Sequence, residues 1–147
     1  MKIDDFFASV DSTLRKTSEA ETASNEKAAE NYELLQEVVA RLAPVVSSYM
    51  EKLKERNINA DVQNSPASLS LTLRYSDGGH RGLSINRSLK TNEISITSSF
   101  TNDDGKNYTS TNGTAYDKSN WKDDVFVEQL HRCIEDFLIY ANRHGGI

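Results

Sequence analysis

The sequence predicts an α+β domain in which amphipathic helices at both ends pack on one face of a four- to five-stranded antiparallel β-meander. Three observations predict it. Apolar residues recur at helical spacing before residue 57, alternate singly with polar ones between residues 60 and 116, and return to helical spacing from Phe126 onward.

Ile3, Phe6, Phe7, Val10 and Leu14 mark a short amphipathic helix, with Asp4 and Asp5 in its first turn, where carboxylates suit the positive helix end. From Arg15 to Asn31 the apolar stripe is missing. This stretch reads either as a flexible linker or as the solvated start of the next helix, which Ser24 or Asn25 could cap. The chain is therefore divided into a helical arm with a polar linker, residues 1–24, and one α+β domain, residues 25–147.

Between about Asn25 and Arg56, Leu34, Leu35, Val38, Val39, Leu42, Val45, Val46, Tyr49, Met50 and Leu53 occupy half of a helical wheel. Pro44 falls on the opposite face, where a proline removes one backbone bond and bends the helix. A break at Ala43-Pro44 is the competing reading.

Leu69, Leu71, Leu73 and Tyr75 then alternate with Ser68, Ser70, Thr72 and Arg74. Leu83 and Ile85 alternate with Ser84 and Asn86, and Ile94, Ile96, Ser98 and Phe100 with Ser95, Thr97 and Ser99. Turns are expected at Ser76-Asp77-Gly78-Gly79, near Lys90 to Asn92, and at Asp103-Asp104-Gly105. Residues 60–63 can add a first strand, and residues 108–116 a last, weaker one with Gly113 as a candidate bulge. One apolar face means one covered side. Asn120 is the expected cap of a final helix whose stripe is Phe126, Val127, Leu130, Cys133, Ile134, Phe137, Leu138 and Ala141, ended by Gly145 and Gly146.

A length of 147 residues corresponds to about one domain. A net charge of −5 disfavours nucleic-acid backbones and anionic membrane surfaces, and is compatible with a basic protein partner. The single Cys133 excludes an internal disulfide. No signal-peptide pattern or membrane-length apolar run is present, so a cytoplasmic location is expected. Without a secretion signal, the Asn-X-Ser/Thr triplets at Asn86, Asn107 and Asn112 read as a by-product of strand composition.

No pattern of catalytic or ligating residues stands out, and no cofactor or metal is expected. Asp77-Gly78-Gly79-His80-Arg81 could bind a phosphate or relay a proton, but as a hairpin tip it reads as solvated turn chemistry. His131 reads as half-exposed, and His144 as a last-turn residue favoured by the negative helix end. Cys133 lies in an apolar stripe, where a thiol behaves as a small hydrophobe. No Gly-X-Ser-X-Gly, phosphate-loop or zinc spacing occurs, and Asn102-Asp103-Asp104-Gly105 lacks the ligands of a calcium loop.

Three surfaces remain. Ser70, Thr72, Arg74, Ser84, Asn86, Ser95, Thr97 and Ser99 would form a hydroxyl-rich outer sheet face able to hydrogen-bond a protein. Glu26, Glu30 and Glu33 belong to an acidic stretch that could steer a basic partner. Phe6, Phe7, Val10 and Leu14 must be buried on their own domain or on a neighbouring copy, and the expectation is a homodimer contact. The reading is a non-catalytic protein-binding module. The alternative is a small-molecule-binding protein or minor enzyme with a site between sheet and helices.

In size, acidity and helix–sheet–helix build the chain resembles secretion chaperones and toxin-neutralising immunity proteins, at the level of fold alone. Secretion chaperones interrupt their sheet with a helix, whereas no helical period appears between Ala60 and Tyr116.

Overall fold

The computed structural model describes residues 2–89 and 91–147, so Lys90, part of one expected turn, lies outside the described residues. In chain order the elements are α1 (Lys2–Lys54), β1 (Asn59–Ser65), β2 (Ser68–Arg74), β3 (His80–Arg87), β4 (Ile94–Thr101), β5 (Asn107–Thr111), α2 (Asp123–Ile139) and a 3-10 turn (Ala141–His144). The strands form one antiparallel sheet in the order β1-β2-β3-β4-β5, without an intervening helix, and both helices pack on the same face. This is the expected α+β class.

The two N-terminal helices are one. Residues 15–31 contain no Gly or Pro and are rich in Ala, Glu and Lys, all strong helix formers. Helix continues there on propensity alone, and the hydroxyls of Thr13, Thr17 and Thr22 donate to the carbonyls of Ser9, Thr13 and Ser18 one turn back. Neither Ser24 nor Asn25 is a cap, because both lie inside α1. Residues 2–23 project from the body, a stretch of roughly 30 Å at 1.5 Å per residue. The arm is not docked on its own domain: Ile3, Phe6, Phe7 and Leu14 are all more than half exposed.

Two side-chain amides fasten α1 to the β3–β4 connection. Buried Asn31 donates to the carbonyl of Thr91 at 2.9 Å, and Asn92 donates to the carbonyl of Ala28 at 3.2 Å. Farther along, Leu35, Val38, Val39, Leu42, Val46 and Leu53 are buried on the sheet. Pro44 is exposed and the helix runs through it, so the break at Ala43-Pro44 does not occur. Asn57, at φ 61°, ends α1 in the left-handed conformation that Asn tolerates, with the amide of Ile58 returning to the carbonyl of Leu53.

The inward alternation is as expected: Leu69, Leu71, Leu73, Ile85, Ile94 and Ile96 are at most 1% exposed. The Gly78 and Gly105 turns carry positive φ, as their hairpins require. After β5, residues 113–115 loop out between Asn112, which donates to Ile96, and Tyr116, which pairs with Ile94. Gly113 thus opens a larger bulge than the single residue expected.

The C-terminal helix corrects two expectations. Asn120 does not cap it: α2 begins after Lys122, which has no side-chain cap bond, while the Asn120 side chain accepts from the amide of Asp117. Leu138 is 47% exposed, because α2 turns it away from the face that buries Phe126, Leu130, Cys133 and Phe137. The two helices are clamped by Arg41, which donates to both carboxylate oxygens of Asp123 at 2.6 and 2.8 Å; the indole of Trp121 completes the arrangement at 2.9 Å.

Candidate functional site

Pairing register turns the outward residues into rows across the sheet. Gln63, Ser70, Ser84, Thr97 and Thr111 form one row, and Asp61, Thr72, Gly82, Ser99 and Thr109 the next. Asn86 pairs with Ser95, and Arg74 with His80. All eight residues expected on this face are therefore brought together, on the side opposite the helices. Gln63, His80, Thr101, Thr109 and Thr111 join them. Extending the same alternation to the strand ends would have found these.

The face contains no apolar side chain. Ser70, Thr72, Ser84, Asn86, Ser95, Thr97 and Ser99 are half-buried among their neighbours. Some of their polar groups are used internally: Asn86 donates to the Ser84 hydroxyl at 2.9 Å, Ser84 reaches the Thr97 carbonyl at 3.4 Å, and the Ser99 hydroxyl meets His80. Gly82 lies at the centre because a Cβ there would come within 3.0 Å of the Ser99 hydroxyl and 3.1 Å of the Leu71 carbonyl.

His80 is not a solvated tip residue. Its Nε2 is 3.2 Å from the Ser99 hydroxyl and its Nδ1 is 3.0 Å from that of Thr101. Burial first, then the charges of Arg74 and Arg81, hold its pKa below the ordinary 6.5. The imidazole is neutral at pH 7, leaving Arg74 and Asp61 as the charged groups in the rows described. A histidine with a depressed folded-state pKa binds its proton more weakly than the unfolded chain does. Stability is therefore full above pH 6.5 and declines as pH falls through the folded pKa. We expect an NMR titration midpoint for His80 below 6.5, which His80→Gln abolishes without unfolding the sheet.

Asp77 has a different partner from the one its sequence neighbours suggest. Its Oδ2 is 3.0 Å from Nδ1 of His144, a residue 4% exposed, whose ring stacks on Tyr75 at 4.3 Å while Tyr75 stacks on Phe137 at 4.2 Å. The Gly79 amide bond first, then His144, lowers the Asp77 pKa. The latch is completed by Ser76, which binds the carbonyls of Gly146 and Ile147. His144 does lie in the last turn, but it is buried there and its ring meets the carboxylate of Asp77; no Ser, Thr or Cys side chain among the described residues is hydrogen-bonded to it. Half-buried Tyr49 meets exposed His131 at 2.6 Å.

Glu26, Glu30 and Glu33 are exposed on α1 and lie apart from the sheet face. Lys118 approaches Glu30 at 3.9 Å and Lys27 approaches Asp117 at 4.0 Å, which tempers the acidic field. Burial pushes the Cys133 thiol up to about 11. Among the described residues no three His, Cys, Asp or Glu side chains converge as a metal site, and no helix is long and apolar enough to cross a membrane.

Polar groups also gather around an arginine in a cleft beside α2. It measures about 290 Å³ at the end of β3 and α2, lined by Arg81, Phe100, Asp136, Tyr140, Arg143 and His144. The Arg81 guanidinium lies 5.2 Å from the Phe100 ring centre and 5.1 Å from that of Tyr140, and its buried Nε has no hydrogen-bond partner among the described residues. The residues that build it are distant in sequence, and of them only Arg81 belongs to a segment, Asp77-Gly78-Gly79-His80-Arg81, whose composition suggests anion binding.

The fold and its surfaces define an α+β protein with an open antiparallel sheet, one face bare. No protein-family model matches the chain, and no curated protein or solved structure is significantly similar to it.

Proposed function

We propose that the protein is a non-catalytic protein-binding module that works as a homodimer, with the bare sheet face as its partner-binding surface and the Phe6, Phe7, Val10 and Leu14 stripe as its self-contact. The observation that carries the first part is the plane of short hydroxyl and amide side chains over adjacent strands, with most of their hydrogen-bonding capacity unused. Short, half-buried side chains lose little entropy when a partner immobilises them, and each retains a donor or acceptor to offer. The carboxylates of Glu26, Glu30 and Glu33 supply a separate, steering role toward a basic partner.

Thr97→Arg places a long charged side chain in the middle of a row without touching the core. It is expected to weaken capture of a stoichiometric partner from the native cell at least tenfold, with the circular dichroism spectrum unchanged. Capture that survives Thr97→Arg but fails with Glu26, Glu30 and Glu33 changed to Lys moves the surface to α1.

A second reading is favoured by Arg81. Its Nε is unpartnered in the cleft beside Arg143, and a small anionic ligand there would compete with Asp136, 3.9 Å from Arg81, and Asp103, 3.7 Å from Arg143. Thermal stabilisation by millimolar carboxylates or phosphates, lost in Arg81→Met, would support that reading over the first.

A further inference from the structure

Resting on the homodimer reading, we infer that the arm of each copy seats antiparallel in a groove on the other copy's α1, between Val45 and Arg56. The two arms therefore do not pair with each other. Ile3, Phe7, Val10 and Leu14 are spaced four, three and four residues apart, the seam that takes another helix as its neighbour. The occupant is thus helical.

The receiving groove is on the same helix. A cleft of about 370 Å³ is lined by Ser48, Tyr49, Lys52, Leu53 and Arg56, with largely apolar walls built from a ring, a Leu and the stems of two basic residues. Val45, 37% exposed, extends it toward the middle of α1. Val45 to Arg56 covers the same eleven-residue separation as Ile3 to Leu14. Charge favours the antiparallel direction: Asp4 and Asp5 open the arm, whereas at the far end of the groove Lys52, Lys54 and Arg56 outnumber Glu51 and Glu55, the last 3.9 Å from Arg56. Antiparallel seating brings these opposite ends together, and with them the positive and negative ends of the helix dipoles.

Area separates the two arrangements. The exposed parts of Ile3, Phe6, Phe7 and Leu14 amount to roughly 500 Å² per arm, taking ordinary side-chain areas. Two arms packed on each other would bury about 1,000 Å², below the ~1,200–2,000 Å² of stable specific interfaces. Two arms that each cover an equal area of the partner's α1 and the turn after it, the groove and the surface around it together, bury about twice as much, within that range. The exchange is reciprocal, as a two-fold interface requires.

Mixing Ile3→Cys with Arg56→Cys under glutathione disulfide tests the placement, since a bridge needs Cα atoms within ~7 Å; the buried Cys133 stays out of the exchange. The expected product is the mixed dimer, with neither variant cross-linking to itself. Lys52→Glu with Arg56→Glu is expected to weaken dimerisation at least tenfold, and Asp4→Lys with Asp5→Lys to restore it. Self-cross-linking of Ile3→Cys in place of the mixed product, or a dimer indifferent to the charge changes, overturns the groove and leaves the homodimer standing. A monomer at all concentrations overturns both.

Discussion

Phe137→Ala is expected to lower the unfolding free energy by about 3–5 kcal/mol, the cost of deleting a fully buried ring and leaving a cavity. Phe137 has no exposed surface and lies on α2 against Tyr75, which in turn carries His144. Its removal takes one outer layer from a three-ring stack, so the Asp77–His144 latch should loosen with it. Tyr75 keeps its own bond to the Phe137 backbone carbonyl at 3.0 Å, which the substitution leaves in place. Leu138 is the control: adjacent in sequence but about half exposed, its replacement by Ala should cost only about 1 kcal/mol. Urea unfolding of the two variants reads the contrast directly. Equal losses would mean that α2 presents a different face.

Why the sheet was legible, and the ends of the chain less so, follows from the range of the forces involved. A period of two decides both what is buried and what shares the opposite face, so alternation alone points Leu71 and Leu73 inward and Thr72 outward. Residues 15–31 were ambiguous because helix propensity leaves no apolar stripe where the helix has no neighbour to pack on. Asn120 has the chemistry of a cap, but Asp117 competes for its side chain and the helix starts three residues later. His144 and Asp77 are 67 residues apart, Arg41 and Asp123 82 apart, and no local rule connects them. The candidate face was readable because it is made of alternation; the Arg81 cleft was not, because β3, β4 and the C-terminal segment, far apart in sequence, meet to build it.

Deleting residues 1–16 is expected to convert the proposed dimer to a monomer, raising the dissociation constant at least 100-fold, while the body keeps its stability. The two halves of this expectation have separate grounds. Residues 2–23 make no contribution to the core, whose first α1 member is Asn31 among the buried polar groups and Leu35 among the apolar ones, so the urea midpoint of the isolated subunit should not move. The same deletion removes Ile3, Phe6, Phe7 and Leu14, all more than half exposed, together with Val10. At ~25 cal/mol per Å², about 500 Å² of apolar surface represents on the order of 12 kcal/mol per arm before the costs of association are subtracted. Even a small surviving fraction of that exceeds the ~2.7 kcal/mol that a hundredfold change requires. Sedimentation equilibrium at several concentrations measures the first half, and urea unfolding of the truncated monomer the second. A truncated chain that still dimerises would place the contact on the bare sheet face or the body of α1. One that is monomeric but markedly less stable would show that the arm holds its own subunit together as well.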